Sequence, residues 1–581
     1  MVLRPLAAVA LVLLLAVSLP APAAVPPARQ AHAVARNAPA RHAAAKPAAK
    51  PPTPLRNEDV DPYDVEDPDS VDQYDGSDEE DPNEPPPDES AAEPLVQNYL
   101  VLAGTKKDQK RLETRPPKLP DLSPYTDEAA QKKIVRTPAG HASVVSMLTE
   151  LSFSSFKGHD ERLREWAMRQ SSLPKIISIE GGYVTPRDLK RELPAQYFDE
   201  PEKGVFVARL PIDIKPGATL HIGEDVKDFR LSFDRGAFLV NEGKLFLMGS
   251  RLEGWNEAKR GPSEYRDKHE FRPFIVSWAG SETYIVRSVV AHLGFAATKA
   301  YGVSISQFSP KLEPVFHRPA PTGWLLDSEF FDNWYGFYCY EALGVVILRN
   351  NYHDNIKYGI DPHDRSRQLI IAQNRASGTK EKHGIIVSRE VNDSWIFDNK
   401  SFENALSGIV VDRSSVNNVV AHNEVYRNHA DGITVYESPN TLLWQNLVVG
   451  NYRHGIRVRN SVDADLRDNV AIGNGLAGIY GHIKNLNDTG RNIHLDPFSQ
   501  TISMTVVGGM LVSNGSGPVT IDQPLSLELY DVDLRKPARD LGIRLTGVLG
   551  QFQEQVLDIL MRRKLPVVVR PAGGAATEAS G

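Results

Sequence analysis

The sequence predicts an all-β chain wound as a right-handed parallel β-helix, with a helical cap at its N-terminal end and a disordered extension ahead of that cap. Three observations predict it. Gly-Ile or Gly-Phe pairs recur at Gly336, Gly359, Gly384, Gly408, Gly432, Gly455 and Gly478, with spacings of 23, 25, 24, 24, 23 and 23 residues. Asparagine recurs nine residues ahead of the glycine at Asn350, Asn399, Asn423, Asn446 and Asn469, and four ahead at Asn355, Asn404, Asn428, Asn451 and Asn474. The residues between are short β-rich runs without the leucine consensus and helix that a leucine-rich repeat of this period needs.

Each repeat reads as one coil of a solenoid that buries its apolar face only by stacking on its neighbours. Asparagine tolerates the left-handed turn conformation and, stacked coil on coil, forms a ladder of amide hydrogen bonds. In the first copy Asp327 and Asp332 take the two asparagine places, and in the 384 coil the upstream asparagine is Asn374. Irregular coils extend both ways, at 284–290 and 505–511. A 3.6-residue apolar period over 140–172 (Met147, Leu148, Leu151, Leu163, Trp166) predicts the N-terminal cap, and Gln551 to Arg563 predicts a short amphipathic helix at the other end.

Ahead of the solenoid, a basic start, an apolar stretch from Leu6 to Leu19 and the small-residue site Ala21-Pro22-Ala23 read as a secretory signal peptide. No second apolar run of that length follows, so the mature chain is expected to lack a transmembrane span. The net charge of −8 is unevenly spread: residues 57–93 hold 17 acidic side chains and no Lys or Arg, while the body, 94–581, sums to +2. A nearly neutral body attracts a polyanion through a local patch, and it has no basic stripe for nucleic acid. The Ala/Pro-rich and acidic segments cannot bury enough apolar surface to offset their ordering entropy. The expected organisation is a signal peptide over 1–23, a disordered extension over 24–94, a linker and helical cap over 95–172, the β-helix over 173–530, and a C-terminal cap and tail over 531–581. The single cysteine, Cys339, excludes an internal disulfide.

Coils stack about 4.8 Å apart, so residues at one offset from each glycine form a column. Offsets +1 and +3 are apolar or small and face the core, Cys339 among them. Offsets +2, +4 and +5 face outward and carry Tyr338, Tyr340, Asp361, His363, Asp364, Arg389, Asp412, Arg413, Tyr436, Arg457, Arg459 and His482. A strip of tyrosines, arginines, histidines and acids suits a flat, anionic sugar chain, because rings stack on pyranose faces and guanidinium forks grip carboxylates. Tyr340, Asp364, Asp412, Arg413, Tyr436, Arg457 and Arg459 are therefore candidate substrate-binding residues.

Asp361-Pro362-His363-Asp364 lies in the middle of the strip, with Arg389 one coil on. The proton on C5 of a uronate is α to its carboxylate. Removing it takes a base near neutral pH, which His363 supplies, and the developing enolate is offset by Arg389. Asp361 or Asp364 orients the imidazole. Returning the proton to the opposite face inverts C5, whereas expelling the 4-linked sugar makes a lyase. These residues leave both outcomes open, and a non-catalytic polysaccharide-binding solenoid beside them.

The tetrapeptide, the arginine of Val387-Ser388-Arg389-Glu390, the asparagine-stacked Gly-Ile coils and the segment Arg272-Pro273-Phe274-Ile275-Val276-Ser277-Trp278 together resemble the periplasmic mannuronan C5-epimerases of bacterial alginate biosynthesis. The similarity spans roughly residues 170–530. It implies a pectate-lyase-like solenoid in the periplasm that converts β-D-mannuronate to α-L-guluronate within the polymer. It further implies His363 as the base, Arg389 as the carboxylate-neutralising arginine and Asp361 as the first acid of the motif. It implies no metal or organic cofactor, and a place in a periplasmic alginate secretion complex. No run of the glycine-rich calcium-binding nonapeptide is present, which sets the chain apart from calcium-dependent secreted epimerases.

Overall fold

The computed structural model describes residues 98–572, apart from 157–166, 172, 298, 309–311, 488–496 and 536–541. The signal peptide and the extension before residue 94 lie outside the described residues. The described chain forms three long sheets of 15, 14 and 15 strands, in which almost every neighbouring pair is parallel. Each coil gives one strand to each sheet and advances one rung, the right-handed crossover expected of parallel strands. One sheet carries the candidate site through β1 (Tyr335–Tyr340), β2 (Tyr358–His363), β3 (Ile385–Ser388), β4 (Ile409–Asp412), β5 (Ile433–Tyr436), β6 (Ile456–Arg459) and β7 (Ala477–His482). Among the described residues no helix is long and apolar enough to cross a membrane.

The Gly-Ile signature has a packing cause. A Cβ on Gly359 would lie 2.4 Å from the carbonyl oxygen of Gly384 in the next coil. The isoleucines then point inward: Ile360, Ile385, Ile409, Ile433 and Ile456 are fully buried in one continuous core, with Cys339 among them. Each such side chain contributes about 1.5–3 kcal/mol by burial, which is how a repetitive coil holds its register.

The asparagine ladders are present, with one correction to their membership. Asn350, Asn374, Asn399, Asn423, Asn446 and Asn469 each pass an amide hydrogen bond to the next, at 2.9 to 3.1 Å. A second ladder runs from Asn404 through Asn428, Asn451 and Asn474 to Asn514. In the first copy the ladder places belong to Ser328 and Asn333, whose backbone N–H groups donate to Asn350 and Asn355, and not to Asp327 and Asp332. The left-handed turn conformation also belongs to the preceding residue: Asp327, Arg349, Asp398, His422 and Gln445 have φ between +49° and +57°. A ladder side chain must point into the turn to meet its counterpart, so the residue before it makes the outward corner.

Removing one rung leaves several buried groups unsatisfied. Asn423 accepts from Asn399 N and Nδ2, and its own Nδ2 donates to Ile396 O and Asn446 Oδ1. Asn423→Ala is expected to destabilise the chain by about 3 kcal/mol or more, at about 1–3 kcal/mol per unsatisfied buried group. A urea titration reads this as a lower midpoint, and an unchanged midpoint would show that water or relaxation replaces the rung.

The ends differ from the expected caps. His141–Ser146 is a strand paired antiparallel with Lys175–Glu180, and after it come two 3-10 turns, Met147–Thr149 and Leu151–Phe156, and a stretch of α-helix over 167–170. Leu163 and Trp166 lie outside the described residues. A further α-helix at this end is α1 (Pro186–Glu192), started by a Thr185–Asp188 capping box and buried through Pro186 and Leu189. At the other end short helical turns over Gly547–Gln551, Gln553–Leu557 and Asp558–Arg562 match the expected C-terminal helix in kind. The segment read as a linker is packed. Tyr99–Ala103 pairs antiparallel with Val567–Pro571 at the C-terminal end. From there the chain runs back along the solenoid: Leu112 O accepts from Arg467, Tyr125 packs edge-on to Trp324, and Ala139 bridges to Tyr183.

Candidate active site

The strand registers reproduce the outward columns. Tyr340 pairs with His363, His363 with Ser388, Ser388 with Asp412, Asp412 with Tyr436, Tyr436 with Arg459 and Arg459 with His482. Tyr338 pairs with Asp361 in the neighbouring column. On this face Tyr335, Tyr338, Tyr340, Tyr358 and Tyr436 form an apolar cluster separate from the solenoid core.

His363 ends β2, and its side chain retains 12% exposure. Its Nδ1 is hydrogen-bonded to the Asp364 carboxylate, which leaves Nε2 as the nitrogen available to a substrate. The sequence left Asp361 and Asp364 as equal partners for the imidazole. The structure pairs it with Asp364, also read as a substrate-binding residue, while Asp361 is buried at 3% exposure. Proximity explains the choice: Asp364 leaves the strand with φ of +32°, and its carboxylate meets Nδ1 of the neighbouring ring.

Burial alone would raise the Asp364 carboxyl, but the charge and hydrogen bond of His363, with Arg389 and Lys299, outweigh it and hold the group well below the usual carboxylate range. A carboxyl lowered on folding contributes stability that is complete above its unfolded value and is lost only as pH falls through the lowered value. The Asp364–His363 pairing therefore persists through mild acid.

Arg389 follows β3 with φ of +58°. Its Nη1 lies 4.0 Å from Asp364 Oδ1, its side chain is 27% exposed, and its Nε is buried without a hydrogen-bond partner. A guanidinium so little used by the protein is a ready partner for a carboxylate.

The downstream arginines are differently placed from the exposed grips that the alternation suggests. Arg459 is 2% exposed, bonded to Glu437 at 3.0 Å and stacked 4.1 Å from the Tyr436 ring centroid. Arg457 is also buried, 3.4 Å from Asp431, and its Nε donates to His482 Nε2 at 3.0 Å. Burial, then Arg457 and Arg459, push the His482 imidazole well below its ordinary value, consistent with a neutral acceptor. Arg413 lies buried 3.4 Å from Asp412, which also accepts from Ser388 Oγ. Tyr340 and Tyr436 are buried rather than open platforms. Alternation gives the direction of a side chain from the core, but not what covers it on the other side.

Two residues at the site went unread in the sequence. Lys299 sits in an irregular coil outside the glycine register. It is buried, with Nζ 3.4 Å from the Tyr340 ring centroid and donating to Tyr338 Oη at 3.2 Å. Arg365, one place beyond the columns, donates to Glu341 at 2.7 Å and to Tyr340 Oη at 3.0 Å. Neither carries a motif, although a lysine two coils before the tetrapeptide, or an arginine just after it, is a signal that sequence could offer. Arg272 of the 272–278 segment is fully buried and clamps Asp332 at 2.8 Å.

Comparison with known proteins adds to this geometry. The family model described as a right-handed beta helix region matches residues 381–522, and one described as periplasmic copper-binding protein (NosD) matches residues 322–430. Among the described residues no group of three or more His, Cys, Asp or Glu is arranged to hold a metal ion. A mannuronan C5-epimerase of Pseudomonas putida is 54% identical over 487 residues, covering 83% of this chain and 94% of that protein. The mannuronan C5-epimerase AlgG of Azotobacter vinelandii is 53% identical over 487 residues, covering 84% of this chain and 93% of that protein. The crystal structure of the periplasmic alginate epimerase AlgG superposes with a TM-score of 0.72 at 53% identity, covering 72% of this chain and 99% of that one.

Proposed function

The chain belongs to the mannuronan C5-epimerase family, and from that premise we propose that His363, Asp364 and Arg389 carry the epimerisation. The protein is a periplasmic isomerase that converts β-D-mannuronate to α-L-guluronate within the alginate chain.

The observation that supports this division of roles is the pairing of His363 Nδ1 with Asp364 beside an arginine whose Nε has no protein partner. Asp364 holds the imidazole in the tautomer that presents a lone pair on Nε2 and offsets the charge that forms when the ring takes the C5 proton. Arg389 meets the uronate carboxylate, onto which the C5 electron pair is delocalised as the proton leaves, and stabilises that dianionic enolate more than the ground state. Asp361, buried two residues before the base on β2, supports the strand end that aims it. The strip of β1–β7, with coils stacked about 4.8 Å apart, gives the polymer a track along the solenoid. Residues Tyr340, Asp412, Arg413, Tyr436, Arg457 and Arg459 act mainly by shaping the floor of that track. A place in a periplasmic alginate secretion complex is part of this reading and is supported by the family resemblance.

Proton NMR of polymannuronate incubated with the mature protein in D2O tests it. Guluronate with deuterium at C5 and no unsaturated ends is the expected result. Unsaturated ends would make the enzyme a lyase, and an unchanged polymer would leave a binding solenoid.

A further inference from the structure

Inversion at C5 takes a second group, because the proton must return to the face opposite the base. On the proposed track, the polymer runs along the stacked coils past His363 at offset +4 and Tyr338 and Asp361 at offset +2. Tyr338 stands one coil from His363, in register with Asp361 two residues before it, so the two side chains reach the same stretch of the outer face from different positions. The Tyr338 and His363 ring centroids are 6.0 Å apart. Tyr338 is also held in place: Lys299 Nζ donates to its hydroxyl at 3.2 Å while lying over the Tyr340 ring. The other titratable groups facing Tyr338 are Asp361 and His363 on β2 and the phenols of Tyr301 and Tyr335, whose ring centroids are 4.9 and 6.0 Å away.

We propose that Tyr338 returns the proton to C5 and that Lys299 is the positioning residue that makes its phenol a usable acid. This rests on His363 as the base. An ammonium that donates to a phenol oxygen favours the phenolate, so the O–H gives up its proton more readily. His363 Nε2 takes the C5 proton, and the C–H electron pair passes into the carboxylate enolate. The Tyr338 O–H bond then breaks as a new C5–H bond forms on the opposite face. The phenolate, held by Lys299, regains a proton from water, and the imidazolium releases its own to water, so the enzyme is restored with no change in oxidation state.

The test follows two quantities by NMR with polymannuronate in D2O: guluronate formed, and deuterium at C5 of residues that remain mannuronate. In Tyr338→Phe guluronate formation is expected to fall about a hundredfold or more, while deuterium still enters mannuronate, because His363 removes and returns the proton from one face. Wild-type guluronate formation in that variant overturns the proposal. Loss of exchange together with inversion, in a chain of unchanged melting temperature, also overturns it by making Tyr338 a binding or structural residue. His363→Gln is expected to lose both signals. If it keeps them, the base assignment fails, and the exchange-to-inversion ratio of Tyr338→Phe still decides the donor. Lys299→Met is expected to move the alkaline limb of guluronate formation to higher pH, with Lys299→Arg restoring it, and an unmoved limb removes Lys299 from the proposal.

Discussion

His363→Ala is expected to lower guluronate formation by about a hundred- to ten-thousand-fold, the usual contribution of a positioned general base. The fold is expected to survive, because the imidazole stands on the outer face of β2 and does not belong to the solenoid core. Its neighbours Ile360 and Pro362 carry the inward packing, and Arg389 and Lys299 remain to balance the Asp364 carboxylate. The change in unfolding free energy is therefore expected to be about 1 kcal/mol, the common value for a single substitution. Turnover assays and a denaturant titration on the same preparation separate the two effects. Activity near that of the wild type would show that another group removes the C5 proton.

For Arg389→Leu the expected loss is about a hundred- to a thousandfold in kcat, the range seen when one preorganised donor to a developing anion is removed. The loss falls on kcat more than on polymer affinity, because the charge that Arg389 meets grows as the proton leaves. Stability is expected to stay level: the Nε has no hydrogen-bond partner to lose, and the contact with Asp364 is a 4.0 Å ion pair. Arg389→Lys is expected to recover part of the rate, since a lysine keeps the charge but not the planar two-point fork. If Arg389→Leu instead lowers the urea midpoint by as much as a broken asparagine rung, the guanidinium is a structural element and another cation, Lys299 first, must be tested against the carboxylate.

The sequence by itself determined whatever repeats. A period of 23 to 25 residues and a two-residue strand alternation are local properties, and together they placed the core column from Phe337 to Ile479, the outward column from Tyr340 to His482 and both asparagine ladders. The Asp361–Asp364 tetrapeptide was legible as a candidate site for the same reason, because its position within a coil states which way each side chain points. The tertiary structure decided what does not repeat. It paired the imidazole with Asp364 through the turn that follows β2, a matter of one left-handed residue that an alternation rule does not contain. It buried Arg457 and Arg459 against Asp431 and Glu437, since direction from the core says nothing about cover. It brought Lys299 from an irregular coil to Tyr338, and it laid residues 98–139 along the solenoid from its last coil to its first. Those contacts join segments of different period or none, so their partners depend on where the folded solenoid carries them and on the side-chain chemistry that meets there.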